Sequence, residues 1–383
     1  MLPFSYAIRN LFRDKSRLLQ TVGGSALVVL LVMGALALNQ GMKRVLSASG
    51  SSHNVILLGA GSEESVQRSE VSEQAAGIAG SEVAGVTETM GTRAVSTEVH
   101  YMGLAQFPDG SEAQALFRGV TPTALLTHPE VQLTEGRFPR TGEVMVGRLA
   151  WRQMKQEASA LAPGSTLLLE DQELKVSGVF AAPGTVMESE VWMPLGDLRV
   201  LAQRDSVSCV VLRLDDPGDF AEADLFTKTR LDLELSALRE SDYYARLSSF
   251  FAPLRAMTWL TAGLIAVGAL FGGLNTLYAA FASRIREMAT LQAIGFGRLA
   301  LLGSLIQEST LACLTGALVA SVVAMLLLDG LVVPFSIGTF TMEVSPSVAL
   351  TGIATGLLLG LLGALPPAIR CLRPALPVAL RSS

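Results

Sequence analysis

The sequence is poor in charge. Asp, Glu, Lys and Arg make up 16% of its 383 residues, while half of the residues are apolar. A water-exposed globular chain carries about a quarter charged residues, so this is the composition of a membrane protein. Cysteine is scarce as well. Cys209, Cys313 and Cys371 fall in three different parts of the chain, which excludes a disulfide framework and leaves redox chemistry without footing. His53, His100 and His128 are far apart in sequence and belong to no His-Glu-x-x-His pattern or Cys/His cluster, so a metal centre has no signature. The Gly-x-Ser-x-Gly nucleophile turn is missing, which leaves an integral-membrane enzyme little to stand on. The phosphate-cradling Gly-x-x-x-x-Gly-Lys-Ser/Thr loop is missing too: only Lys15 and Lys228 precede Ser or Thr, and neither follows a glycine. Any ATP must therefore be handled by another polypeptide. No basic stripe with interleaved aromatics appears, so a nucleic-acid partner is not expected.

What the sequence has instead is four long apolar runs, Leu18–Leu38, Met257–Ala282, Leu299–Leu328 and Val348–Ile369. Each meets the roughly 20 residues needed to cross the hydrocarbon. None contains Lys or Arg, and their only acid is Glu308, which either bonds a neighbouring helix or marks a substrate path. The other polar span residues are few, Asn275 and Gln307 among them. The first run is longer than a signal-peptide core and reads as a span rather than a cleaved leader. Arg9, Arg13, Lys15 and Arg17 precede it; Arg284, Arg286 and Arg298 lie between the second and third runs; Arg370, Arg373 and Arg381 follow the fourth. The loop 329–347 has no basic residue. The positive-inside rule then places both termini and segment 283–298 in the cytoplasm, and residues 39–256 and 329–347 outside. All acids except Asp14, Glu287, Glu308, Asp329 and Glu343 fall in the insert 39–256, so the net charge of −5 averages a basic inner rim with an acidic outer domain.

The expected fold is an integral membrane α-helical protein with four transmembrane helices and a large α+β extracytoplasmic domain inserted between the first and second. Its parts are an amphipathic N-terminal helix (1–17), the first span (18–38), the outer domain ending in a stalk (39–256), and the second span (257–282). A cytoplasmic helix (283–298), the third span (299–328), a short outer loop (329–347), the fourth span (348–371) and a tail (372–383) follow. Phe4, Ile8, Leu11 and Phe12 recur at helical spacing opposite the first arginines, which suits a helix on the inner leaflet as well as a plain positive flank. In the insert, strands are expected at Asn54–Leu58, Glu143–Gly147 and Val207–Leu214, with a hairpin over Thr166–Phe180 turning at Asp171-Gln172. Helices are expected at 62–80, 148–160 and 219–236, and a further one from Tyr243 to Ala256 running straight into the second span. Two subdomains are one way to divide the insert. Small residues at close-packing spacing, Gly268 and Gly272 in the second span and Gly352, Gly356 and Gly360 in the fourth, point to helix packing, within the chain or in a dimer.

The segment "SRIREMATLQAIGFGR" (Ser283–Arg298) carries an apolar side of Ile285, Met288, Ala289, Ile294 and Phe296 and a polar side of Arg284, Arg286, Glu287 and Gln292. Gly295 ends the helix and Gly297 permits the turn back. Taken alone it is either an interfacial connection between spans or a helix set into a groove of a soluble partner. Its residues resemble the cytoplasmic coupling motif of the MacB/FtsX/LolC-type (type VII) permeases of ABC transporters, roughly Arg-x-Arg-Glu-Ile-Ala-x-Leu-Arg-Ala-Ile-Gly. Arg284, Arg286, Glu287, Met288, Ala289, Leu291, Ala293, Ile294 and Gly295 stand in register, with Gln292 where Arg is usual. "YAIRNLFRDKSR" (Tyr6–Arg17), "EGRFPRTGEVMVG" (Glu135–Gly147) and "PPAIRCLRPALPVALR" (Pro366–Arg381) are similar to other stretches of that family.

The resemblance implies a transporter half that is not itself an enzyme. It holds no cofactor and pairs with a second permease chain, identical or homologous. Two ATP-binding subunits would bind ATP and Mg and grip the coupling helix through Arg284, Arg286, Glu287, Met288, Leu291, Ile294 and Gly295. It further implies an inner-membrane location and mechanotransmission to the outer domain. The work done there is export or extraction of an amphiphile (lipid, lipoprotein, peptide or drug), with or without a periplasmic adaptor and an outer-membrane channel. The alternative is a signalling permease that activates a cell-wall hydrolase; the large insert favours export.

Overall fold

The computed structural model describes residues 4–374 and Ala379; Arg381 and most of the tail expected at 372–383 lie outside the described residues. In chain order the first elements are α1 (Phe4–Arg13), α2 (Lys15–Ser49), β1 (Asn54–Gly59), α3 (Gln74–Glu82), β2 (Glu88–Thr89), β3 (Thr92–Arg93), β4 (Val95–Gln106) and β5 (Glu112–Val120). Then come α4 (Ala124–Thr127), β6 (Gln132–Gly136), β7 (Glu143–Gly147), α5 (Ala150–Gln153), β8 (Thr166–Leu169), β9 (Gln172–Ala181), β10 (Val191–Pro194), α6 (Leu195–Leu201), β11 (Cys209–Arg213), α7 (Phe220–Thr229) and β12 (Leu235–Arg239). The last are α8 (Glu240–Phe250), α9 (Ala252–Ala282), α10 (Ile285–Ala293), α11 (Arg298–Leu327), β13 (Val332–Phe335), β14 (Gly338–Thr341) and α12 (Pro346–Cys371). The chain divides into two compact units: a helical one of Met1–Gln40, Pro253–Leu331 and Met342–Ser383, and a sheet unit of Gly41–Ala252 and Val332–Thr341.

In the helical unit α2, α9, α11 and α12 are long and apolar enough to cross a membrane. α2 is longer than the apolar run that announced it, because Lys15–Arg17 and Asn39–Ser49 contain no proline, and Gly41 alone does not stop the helix. α11 and α12 pack through glycines. A Cβ on Gly356 would lie 2.6 Å from Ala317 Cβ, and one on Gly360 would lie 2.6 Å from Thr310 Cα; on Gly352 it would meet Met33 Sδ of α2 at 2.6 Å. At Gly356 and Gly360 these close approaches leave no room for a side chain larger than hydrogen, whereas at Gly352 the neighbour is a flexible methionine side chain. By contrast a Cβ on Gly268 or Gly272 of α9 would meet nothing within 4 Å.

The sheet unit holds a ten-stranded sheet of order β12-β1-β11-β4-β5-β10-β7-β9-β6, with β8 pairing β4 and β9. Most pairs are antiparallel; β5–β10 and β7–β9 are parallel. β4 joins the two halves: its first residues pair β11 and the rest pair β5 and β8, so the insert forms one continuous sheet rather than two subdomains. At β1 and β11 the sheet is buried on both faces. Val55 and Leu57 of β1 and Val210 and Leu212 of β11 enter the main core; the alternate Ile56, Leu58, Cys209 and Val211 enter a second one.

Several local expectations are corrected. The helix expected at 62–80 begins only at Gln74, because Val71 is drawn into a bridge with Val207. The β8–β9 turn sits at Glu170 and Asp171, one residue early, both at positive φ (48° and 61°) as a tight two-residue hairpin requires. The helix expected at 148–160 is the short α5 followed by 3-10 geometry, and that at 219–236 ends at Thr229. The stalk is not one helix: Phe251 separates α8 from α9. Pro253 has no N–H to give to Ser249 and its ring crowds that carbonyl, so the ladder breaks there. The loop 329–347 contains the β13–β14 hairpin.

Candidate coupling site

α10 is nine residues long and both its ends are built into the sequence. Arg284 is its N-cap, and Glu287 in the first turn suits the positive end of the helix dipole. At the other end Gly295 adopts φ 109°, Phe296 N–H donates to Leu291 O (3.1 Å) and Gly295 N–H donates to Gln292 O (3.0 Å). This pair of bonds is the Schellman closure, and the Phe296 and Leu291 side chains join the same apolar cluster.

The helix has two different faces. Met288 and Ala289 are buried; Met288 packs in a cluster with Phe281, Leu301 and Leu305. Arg284 is buried, Glu287 and Leu291 are half-buried, and Arg286, Thr290, Ala293, Ile294 and Gly295 are exposed, Ile294 by 71%. Met288, expected among the gripping residues, is thus packed inside its own chain. Packing under α11 takes Met288 out of reach, and the apolar side chain that remains available is Ile294.

Charge is distributed in the same way. Arg284 donates Nε to Glu287 Oε2 (3.2 Å) and Nη1 to Glu308 Oε2 (2.8 Å). Glu287 also accepts from Tyr6 Oη (2.8 Å) and lies 3.5 Å from Arg13. Glu308 also accepts from Asn10 Nδ2 (3.2 Å) and pairs with Arg17. Burial would push the Glu287 carboxyl up, but the Tyr6 hydrogen bond and the Arg284 charge hold it below the usual carboxylate range. Glu308 was flagged by being the only acid in a span; Asn10 and Arg17 as its partners, and Tyr6 as a partner of Glu287, carried no signal beyond lying near a membrane edge.

A second charge cluster lies inside the sheet unit. Glu98 of β4 accepts from Arg118 Nη1 of β5 (2.7 Å) and lies 2.9 Å from His128 Nε2 and 3.2 Å from His100 Nε2. Arg118 in turn makes a two-pronged pair with Glu190, both contacts 2.7 Å, and Glu190 accepts from Trp192 Nε1 (2.8 Å). His128 Nδ1 is 3.5 Å from Glu130 and 3.9 Å from Glu240, ion-pair rather than hydrogen-bond distances. Histidines that are distant in sequence thus share one carboxylate. Glu98, His100 and Cys209 place ligand atoms within 4.8 Å of one another, yet Arg118 and His128 already occupy both oxygens of Glu98. Burial pushes the Cys209 thiol well up, so it stays protonated. The arrangement is an ion-pair network, with no free carboxylate for a cation.

Residues 18–224, more than half of the chain, match the MacB-like periplasmic core domain, and residues 259–375 match the FtsX-like permease C-terminal domain. The chain belongs to the MacB/FtsX-type family of ABC transporter permeases. Permeases of this family are membrane components without catalytic activity of their own and work with ATP-binding subunits. No curated protein matches the chain in sequence. Among solved structures, the periplasmic region of MacB from Actinobacillus actinomycetemcomitans is 11% identical, with 52% of this chain and 94% of that one covered and a TM-score of 0.39. The extracellular domain of the noncanonic ABC-type transporter YknZ from Gram-positive bacteria is 14% identical, with 48% and 99% covered and a TM-score of 0.37.

Proposed function

We propose that this permease is gripped at α10 by a separate ATP-binding subunit, which binds ATP and Mg, and that it passes the resulting movement to its sheet unit. In this reading the complex holds two permease chains and two ATP-binding subunits. It sits in the inner membrane with α10 and both termini in the cytoplasm, as the arginines at 9–17, 284–298 and 370–373 favour. The work done is export or extraction of an amphiphile (a lipid, lipoprotein, peptide or drug) by mechanotransmission, with room for a periplasmic adaptor and an outer-membrane channel. Few polar residues line the spans, and Glu308 among them is already spent on two arginines, which speaks against a conducting pore.

The observation that carries the reading is the division of α10. One face is fixed to its own bundle through Met288, Arg284 and Glu287, while Arg286, Thr290, Ala293 and Ile294 are left open on the other. A short helix held on one side and bare on the other suits insertion into a groove. The double variant Arg286→Glu, Ile294→Asp tests it in membranes holding the co-expressed ATP-binding subunit. Co-purification of that subunit and its membrane-bound ATPase activity are expected to drop about tenfold, as loss of an interface anchor does. Wild-type levels of both would overturn the assignment. A lipid or adaptor co-purifying with the intact complex supports export; a peptidoglycan hydrolase supports the signalling alternative.

A further inference from the structure

Arg284 stands between two carboxylates, and each carboxylate is tied to the N-terminal segment. Glu308 reaches α1 through Asn10 and α2 through Arg17; Glu287 reaches α1 through Tyr6 and Arg13. Glu308 lies ten residues into α11, about 15 Å along its axis, and is 4% exposed. A charge so placed is expensive unless paired, and an apolar group of similar volume commonly serves stability as well or better. Stability therefore does not explain the choice of charge. Direction does. A guanidinium between two carboxylates fixes an angle, whereas the Met288 contact leaves a helix free to roll. α10 needs such fixing, because nine residues are too few for a helix to hold itself in water. The turn at Ser283–Arg284 separates it from α9 and the left-handed Gly295 from α11.

We propose that Glu308 is a positioning residue: through Arg284 it locks α10 to α1 and to the start of α2, so that the three move as one body when α10 is pulled. The pulling rests on α10 being the gripped helix, as proposed above; the lock itself does not.

The test uses the full chain in lipid nanodiscs with spin labels at Phe12→Cys on α1 and Ile294→Cys on α10, both exposed, and a control pair at Leu318→Cys on α11 and Leu358→Cys on α12. The native cysteines are buried and do not compete for label. The wild-type α1–α10 distance is expected to be narrow and to stay unchanged when the ATP-binding subunit and a nucleotide analogue are added. Glu308→Gln is expected to broaden the α1–α10 distribution about twofold while the α11–α12 pair stays as it was. Should Glu308→Gln fail to fold, the triple variant Arg17→Leu, Arg284→Leu, Glu308→Leu removes the three charges at the centre of this cluster and keeps much of the volume. It too is expected to fold and to broaden only the α1–α10 pair. An unchanged α1–α10 width in these variants, or equal broadening of both pairs, would overturn the proposal and leave Glu308 a packing residue. A wild-type α1–α10 distance that shifts with nucleotide would overturn the one-body movement. Disulfide trapping from Ile294→Cys to the ATP-binding subunit separates the two readings: no trapping with an intact lock means that α10 is held as described but gripped by something else.

Discussion

A carboxylate cut off from water keeps its charge only where the fold supplies cations, and Glu98 shows how the sheet unit does so. Glu98 and His128 are fully buried and Arg118 nearly so. Burial alone would push the His128 imidazolium down, but the Glu98 charge and the contacts to Glu130 and Glu98 outweigh it and push His128 from 6.5 up to about 10. The unfolded chain loses that proton near 6.5. The stabilisation is therefore complete below 6.5 and disappears as pH rises from there through about 10. Glu98 works in the opposite sense. Burial raises it, but the Arg118 and His128 charges hold it well below 4.5, so its contribution is present above 4.5 and is lost as pH falls. Burial raises Glu240, which offsets part of the gain at neutral pH. Burial and the Arg118 charge hold His100 below 6.5, so its contribution fades as pH falls from there. Thermal unfolding followed by the fluorescence of Trp192, which packs in this cluster, should thus give its highest midpoint near 6.5, with one limb falling towards acid and another towards pH 10. His128→Gln should flatten the alkaline limb and cost about 3–5 kcal/mol on the plateau, since it leaves part of a buried charge uncompensated. An alkaline limb of wild-type steepness in that variant would assign the pH dependence elsewhere.

Among the elements, those with one strong period were readable from sequence. The four apolar runs became α2, α9, α11 and α12, and the unbroken apolar stretches at 54–59 and 143–147 became β1 and β7. The β4–β5 hairpin was not, because Glu98, His100 and Arg118 interrupt its apolar pattern; Glu98 and Arg118 are polar yet buried and His100 is half-buried, turned toward one another in a network that no local window contains. The same holds for the candidate site. Gly295 and the ends of α10 could be read, whereas which face of α10 stays bare depends on Leu301 and Leu305, which enter from the next helix. The glycine rows announced close packing without saying where, and the structure ranks them. At Gly360 an added methyl meets the backbone at Thr310 Cα, which cannot move cheaply; at Gly352 it meets the end of the flexible Met33 side chain. Gly360→Ala should therefore cost about 1–3 kcal/mol and Gly352→Ala much less. Denaturation of the purified chain in mixed detergent micelles reads both, and the reverse order would show that α12 does not pack on α11 as described.

At the scale of the whole molecule, α9 is the span that its own chain hardly covers. Gly268 and Gly272 lie on it with nothing within 4 Å of an added Cβ, and Leu264, Val267 and Phe271 are exposed around them. In water such a surface would demand a cover; in hydrocarbon it does not, because lipid tails are as apolar as leucine. What singles out α9 is therefore the pair of small residues, which gains nothing against lipid but lets a second helix approach closely. Two copies of the chain meeting along α9 would give the paired arrangement proposed above and would place the two sheet units under a common drive. Gly268→Leu with Gly272→Leu should shift the unfolding midpoint of the single chain little, since an added Cβ at either meets nothing within 4 Å and Gly272 borders a cavity of about 350 Å³ shared with α2 and α12 that can take a larger side chain. The same change should shift the purified protein from dimer to monomer in mild detergent. Light scattering in a detergent-matched solvent distinguishes the two states. A dimer that survives both substitutions would mean that this face meets lipid and that the second permease chain is held through another surface.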